Sequence, residues 1–285
     1  MPLYEVVAEP ALSEPALVVA LEGWIDAGLA AAGAMAHLRA SLDTSLVATF
    51  DTEELLDHRS RRPVMRLVEG VNTGLTWPTI ELRHGHDLDG RDVLLLAGPE
   101  PDMRWRTFVA DALDLIGALG VRIVLPLGAY PAPIPHTRPG RIATTATTAE
   151  LARRVGTVQG NLDVPAGVQG ALEEACGARG LPAVGLWAQI PHYVSAMAYP
   201  GASAELIDAV AVAAGLRLDA AGLREAGRAL RVRLDELVAG NEEHVQMVTQ
   251  LEAHYDAETS ERPSSILPSG EQLATEIERW LRNRD

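Results

Sequence analysis

The chain has 285 residues, 47% of them apolar, and a net charge of −15. That length and apolar content support a sizeable core and exclude general disorder. The acidic balance excludes nucleic acid and anionic membrane as main partners, since both need clustered positive charge.

All 24 basic residues are arginine. A Schiff-base lysine, a phosphate-loop lysine and a kinase-type lysine–glutamate pair are therefore excluded. The missing lysine fits a GC-rich genome that prefers arginine codons, and it also suits a protein that works beside a lysine-tagging degradation system. The single cysteine, Cys176, permits no intramolecular disulfide and fits a reducing cytoplasm. The first residues carry Glu5, Glu9 and Glu14 with no basic segment, so no signal peptide is expected, and no apolar run is long enough for a transmembrane helix.

In chain order, ALVVALEGW predicts a buried strand ending at Gly23. DAGLAAAGAMAHLRASL predicts a helix, with Asp26 at the end that favours a carboxylate. SLVATFD is a second strand. LTWPTIELRHGHDLDGRDVLLLAGPEP predicts strand, turn at Asp89-Gly90, and strand. WRTFVADALDLIGALG predicts a helix stopping at Gly120, with Arg104 and Trp105 in its first turn. VRIVLPLGAY is a strand, TTAELARRVG and VQGALEEACGARG are helices, and PAVGLWAQIP is a strand. SAELIDAVAVAAGL predicts a helix capped by Ser203 and stopped by Gly215.

This alternation predicts a three-layer α/β/α sandwich with a mostly parallel sheet. The core domain is assigned to residues 1–215 and an all-α C-terminal extension to 216–285, with a linker near 256–268. After the linker, Ser269 with Gln272 fits a capping box, and Ile277, Trp280 and Leu281 make one apolar face.

Four stretches fall at predicted C-terminal strand ends, where an open parallel sheet binds ligands. EGWIDAG holds Glu22, Trp24 and Asp26; GPEPDMRW holds Glu100, Arg104 and Trp105; PAPIPHTRPG holds His136 and Arg138; IPHY holds His192 and Tyr193. These types serve either acid–base work on a small anion or the shaping of loops and a subunit contact. Arg104, near a positive helix end, wants an acidic partner, with Glu100 or Asp102 the obvious one.

His84 and His86 precede the Asp89-Gly90 turn with no second ligand pair nearby, so they read as a surface hairpin and no metal is expected. His244 and His254 read as solvated, and Cys176 follows two glutamates that raise its pKa. Neither GxGxxG nor GxSxG occurs, so no dinucleotide cofactor or hydrolase elbow is predicted, and no other cofactor is expected.

Taken together, LEGWIDAGLAAAGAMAHL, LLLAGPEPDMRWRTF, PHTRP, GLWAQIPHYV and LPSGEQLATEIERWLR resemble the actinobacterial branch of the proteasome assembly chaperone 2 family. The resemblance implies a core like the phosphorylase/hydrolase-like fold, a homo-oligomer (a trimer among its forms), and proteasome subunits as partners. It carries no reaction. The ending LRNRD departs from the hydrophobic–tyrosine–variable tail by which relatives insert into proteasomes. Two functions are weighed. One is a non-enzymatic scaffold or chaperone. The other is a small-molecule binder or phosphorylase-like enzyme using Glu22, Glu100, Arg104, His136, Arg138 and His192.

Overall fold

The longest apolar runs of the chain become the middle strands of one sheet, covered on both faces. The computed structural model describes residues 1–155 and 162–261. In chain order the strands are β1 (Tyr4–Val6), β2 (Ala16–Glu22), β3 (Ser45–Phe50), β4 (Val64–Val68), β5 (Val71–Thr76), β6 (Ile80–His86), β7 (Asp92–Pro99), β8 (Ile123–Ala132), β9 (Ile142–Ala146) and β10 (Val184–Pro191). The helices are α1 (Ala30–Ser41), α2 (Thr52–Leu55), α3 (Trp105–Ala118), α4 (Ala149–Val155), α5 (Val168–Ala178), α6 (Pro200–Ala214), α7 (Ala221–Ala239) and α8 (Glu242–Glu261).

The main sheet has the order β1-β3-β6-β7-β2-β8-β10-β9. Its central strands β7, β2, β8 and β10 run parallel. The flanking pairs are antiparallel. The parallel centre follows from helical crossovers, which bury both faces and favour unbroken apolar strands. The Asp89-Gly90 turn is too short for a crossover, so β6 and β7 form a hairpin.

Strand alternation then sorts the core. Ala16, Val18 and Ala20 face α1 and α6, while Leu17 and Val19 face the layer of α3 and α5. The three-layer sandwich and the C-terminal helices are as the sequence predicts. Details differ. Ser203 is not a cap but a buried residue inside α6, whose N-cap is Tyr199, because Pro200 opens the helix earlier. Arg104 precedes α3 as its N-cap in a left-handed conformation, φ 58°, rather than lying in the first turn. Residues 256–261, read as the start of a linker, continue α8. The capping box and apolar face beyond them lie outside the described residues.

The extension folds back on the sandwich. α7 crosses the start of α6 so closely that a Cβ on Gly227 would lie 2.8 Å from the Gly201 Cα. Two glycines let the backbones meet there. α8 returns antiparallel to α7 and lies against the β8–β9 loop, where Tyr255 is buried against Ala132 and Ile134.

A second excursion comes between β3 and β6. It holds α2 and a two-stranded ribbon, β4–β5, turned at Glu69 and Gly70, which both have positive φ. Every residue of the ribbon strands is exposed. No signal of burial marks it in the sequence, so alternation does not reveal it. Both flanks of this excursion, Phe50 and Ile80, lie at the same sheet edge as the predicted site residues.

Candidate functional site

The C-terminal edge of the parallel strands is where β2, β7, β8 and β10 deliver the predicted residues. There they form two groups with separate partners.

The first group sits above β2 and β7. Glu100 is buried, and its carboxylate accepts the Val168 N–H at 2.5 Å, at the start of α5. A carboxylate is favoured at a helix N-terminus. The N-cap, Gly167, has no side chain to give: a Cβ there would lie 2.7 Å from Glu100 Oε1 and 3.2 Å from Trp24. Glu100 therefore pins α5 to the end of β7. Its own N–H donates to the Glu22 carbonyl at 2.6 Å, while the Glu22 carboxylate is exposed and Trp24 is half-exposed.

Arg61, from the excursion, lies over the same point, 3.2 Å from the Glu22 carbonyl and 3.5 Å from Asp102. Asp102 in turn accepts the Asp57 N–H. Arg104 does not pair with Glu100 or Asp102; it pairs with Glu54 of α2. Both acids nearest in sequence are already engaged, and the left-handed turn at Arg104 precedes α3. Trp105 closes that turn, its indole N–H donating to the Pro101 carbonyl at 2.5 Å. Asp26 caps α1 by accepting the Ala31 and Ala32 N–H groups at 2.8 and 2.9 Å. Burial holds its carboxyl above the ordinary value despite these bonds.

The second group sits above β8 and β10. His136 is buried, with Nδ1 2.6 Å from the Tyr193 hydroxyl and Nε2 3.1 Å from Asp235 of α7. Facing a carboxylate, Nε2 carries the proton. Nδ1 then accepts from the Tyr193 O–H, whose oxygen also accepts the His136 backbone N–H at 2.8 Å. Burial pushes the Tyr193 phenol up, so it stays a protonated donor. Arg138 grips carboxylates, as its type suggests, but they belong to its own chain: Glu252 at 3.0 Å and Asp256 at 2.7 Å, both on α8. The Asp256 carboxyl is held low, chiefly by that hydrogen bond. Arg141 extends the clamp, stacking 3.7 Å from the Tyr255 ring centre and pairing with Glu258 at 2.6 Å. His192 stands exposed beside Tyr193, their ring centres 5.3 Å apart.

Beside this group is an open cleft of about 330 Å³, lined among others by Pro135, Gly140, Tyr199, Glu205, Arg224 and Arg231. Glu205 is the residue here that the sequence reading missed. Burial raises its pKa to about 7, the Gly140 N–H opposing and Asp208 adding to the rise. Burial likewise pushes the Tyr199 phenol to about 12. Nothing local in ASAELID distinguishes Glu205 from a solvated helix residue. Elsewhere, burial takes the Cys176 thiol to about 12, with Glu173 adding to it, as the sequence suggests.

In the β6–β7 hairpin, His84 and His86 both face Asp92 on the neighbouring strand. Among the described residues no helix is long and apolar enough to cross a membrane.

The arrangement ties elements together more than it offers reactive groups. The Tyr193–His136–Asp235 chain is internally satisfied and its imidazole is sealed from solvent. Sequence and fold comparisons decide the family. The PAC2 family profile matches residues 20–238.

The chain belongs to the PAC2 family.

A solved structure of a proteasome-assembly chaperone homologue from Mycobacterium tuberculosis is 38% identical, with 82% of this chain and 99% of that one covered, at a TM-score of 0.76. A PAC2 family protein from Streptomyces avermitilis matches at 38% identity and TM-score 0.74, covering 82% of this chain and 99% of that one. A Mycobacterium tuberculosis protein of unknown function matches at 36% identity and TM-score 0.85, covering 99% of this chain and 96% of that one. A search of curated proteins gives no match.

Proposed function

We propose that this PAC2 protein is a chaperone-like scaffold that acts by binding proteins, as a homo-oligomer, with proteasome components as its partner class. The observation that carries the reading is the engagement of the strand-end residues. Glu100, His136, Arg138 and Tyr193 each hold another element of the same chain. A catalytic crevice keeps such groups aimed at open space. The M. tuberculosis relative named as a proteasome-assembly chaperone homologue supports the partner class.

The exposed ribbon supports a contact surface. Val64, Met65, Leu67, Val68, Val71 and Leu75 are all exposed on it. Clustered apolar exposure of this kind is typical of interfaces. Its edges leave unpaired backbone groups that a second strand can join. We place the contact between copies there.

The test is sedimentation velocity on the full chain and on Leu67→Glu/Val71→Glu, with a parallel pull-down using purified proteasome α-subunits. A parent oligomer that the double variant reduces to monomer, together with α-subunit capture, is expected. A monomeric parent that captures no α-subunit sinks the reading. The variant's melting transition is the control: these side chains touch no core, so stability changes by about 0.5 kcal/mol or less.

A further inference from the structure

The β6–β7 hairpin gathers a separate set of chemistry-bearing side chains at the opposite edge of the sheet. His84 and His86 are two apart on β6, and Asp92 is the register partner of His86 on β7. Alternation puts all three on one sheet face, the one that carries Leu82 and Leu94 further along the strands. His84 Nε2 lies 2.7 Å from Asp92 Oδ1, and His86 Nε2 lies 3.3 Å from the same oxygen. One donor atom from each residue falls within 4.8 Å of the others. The side chains of His84 and Asp92 are 10% exposed, and that of His86 is 57% exposed. The group is thus walled by protein and open on one side.

A histidine–aspartate hydrogen bond needs one imidazole. Here two imidazoles turn the same ring nitrogen towards one oxygen, although their ring centres are only 4.7 Å apart. We propose that His84, His86 and Asp92 bind one divalent transition-metal ion of the zinc class.

The geometry is close to what such an ion needs. Tetrahedral ligation at about 2.0–2.2 Å separates ligand atoms by roughly 3.4 Å. The His86–Asp92 distance already meets this, and the His84–Asp92 distance meets it after opening by a fraction of an ångström. Two neutral imidazoles and a carboxylate suit zinc, with water at the open side; calcium and magnesium prefer oxygen alone. The carboxylate is oriented from behind, its Oδ2 accepting the Ser13 N–H at 2.8 Å. Outer contacts of that kind hold metal ligands in place. The adjoining turn is fixed as well: Asp87 accepts the Arg217 N–H at 2.8 Å, and Leu88 donates to the Arg217 carbonyl at 3.0 Å. The ion joins β6 to β7 at a point also tied to the residues before β2 and after α6. This assignment is independent of the chaperone reading.

Chelator-treated full-length protein is titrated with zinc by calorimetry, and its melting temperature is followed with and without the metal. One equivalent bound and a raised melting temperature are expected. His86→Ala removes an exposed side chain, so the fold survives, and zinc affinity falls by about tenfold or more. Cobalt gives the visible absorption of a four- or five-coordinate ion in the parent and loses it in His86→Ala. No binding by the parent at about 100 µM zinc overturns the site. So does parent-like binding by both His86→Ala and Asp92→Asn, which would place the metal on the chain's other histidines.

Discussion

At the residue scale, the side chain whose state depends most on its surroundings is Glu205. It faces the cleft beneath the β8–β9 loop, and burial takes its pKa from an ordinary 4.5 to about 7. The folded chain therefore holds a proton that the unfolded chain has released between those values. Stability from this group is highest below pH 4.5 and falls as pH rises towards 7, the reverse of the usual carboxylate. Glu205→Gln keeps the amide-accepting oxygen for Gly140 and removes the titration. Relative to the parent, the variant gains about 2 kcal/mol more at pH 8 than at pH 5, allowing for partial solvent contact. Denaturant unfolding of both proteins at the two pH values reads this difference. A gap that does not change with pH means that Glu205 is solvated and ordinary. The comparison cancels Asp87 and Asp92, whose low carboxyls push stability in the opposite direction in acid.

At the element scale, local pattern made helices and buried strands legible and left pairings hidden. The runs VLLLA and LVVAL are apolar because both sheet faces are covered, so their strands are evident from composition alone. Asp26 is legible as a cap because capping is decided within a turn of the residue. Arg104 is not, because Glu54 comes from an excursion that no periodicity announces. Glu252 and Asp256 carry no local sign of a partner, yet they hold Arg138 from far along the chain. Gly227 is a further case. Glycine weakens a helix interior, yet the place of Gly227 in AGLREAGRALRVRLDEL is fixed by the Gly201 backbone 2.8 Å from where its Cβ would stand. Backbone cannot give way as a flexible side chain does. Gly227→Ala therefore forces α7 off α6 and costs about 1–3 kcal/mol despite alanine's better helix propensity. Circular dichroism melting measures the cost. A variant as stable as the parent means that the two helices do not cross this closely.

At the scale of the whole molecule, two electrostatic effects oppose one another. The net charge of −15 repels itself and strains the compact state. The C-terminal helices, however, are held by partly exposed ion pairs: Arg138 with Glu252 and Asp256, and Arg141 with Glu258. Salt screens both, because the Debye length shrinks from about 30 Å at 0.01 M to about 3 Å at 1 M. Relief of the general repulsion favours the sandwich, whose core strands are apolar and fully buried. Loss of the specific pairs favours release of α8, whose buried apolar residues, among those described, are Val248 and Tyr255. Amide hydrogen exchange separates the two, since it reports local opening element by element. On going from about 0.02 M to about 0.5 M salt, protection in β2, β7 and β8 holds or rises, while protection over residues 242–261 falls severalfold. A uniform change in both would mean that α8 opens only with the whole domain, so that its carboxylates decorate a helix already fixed by packing. A selective loss makes the PHTRP clamp the point at which the extension is released, leaving the C-terminal strand edge open to a partner.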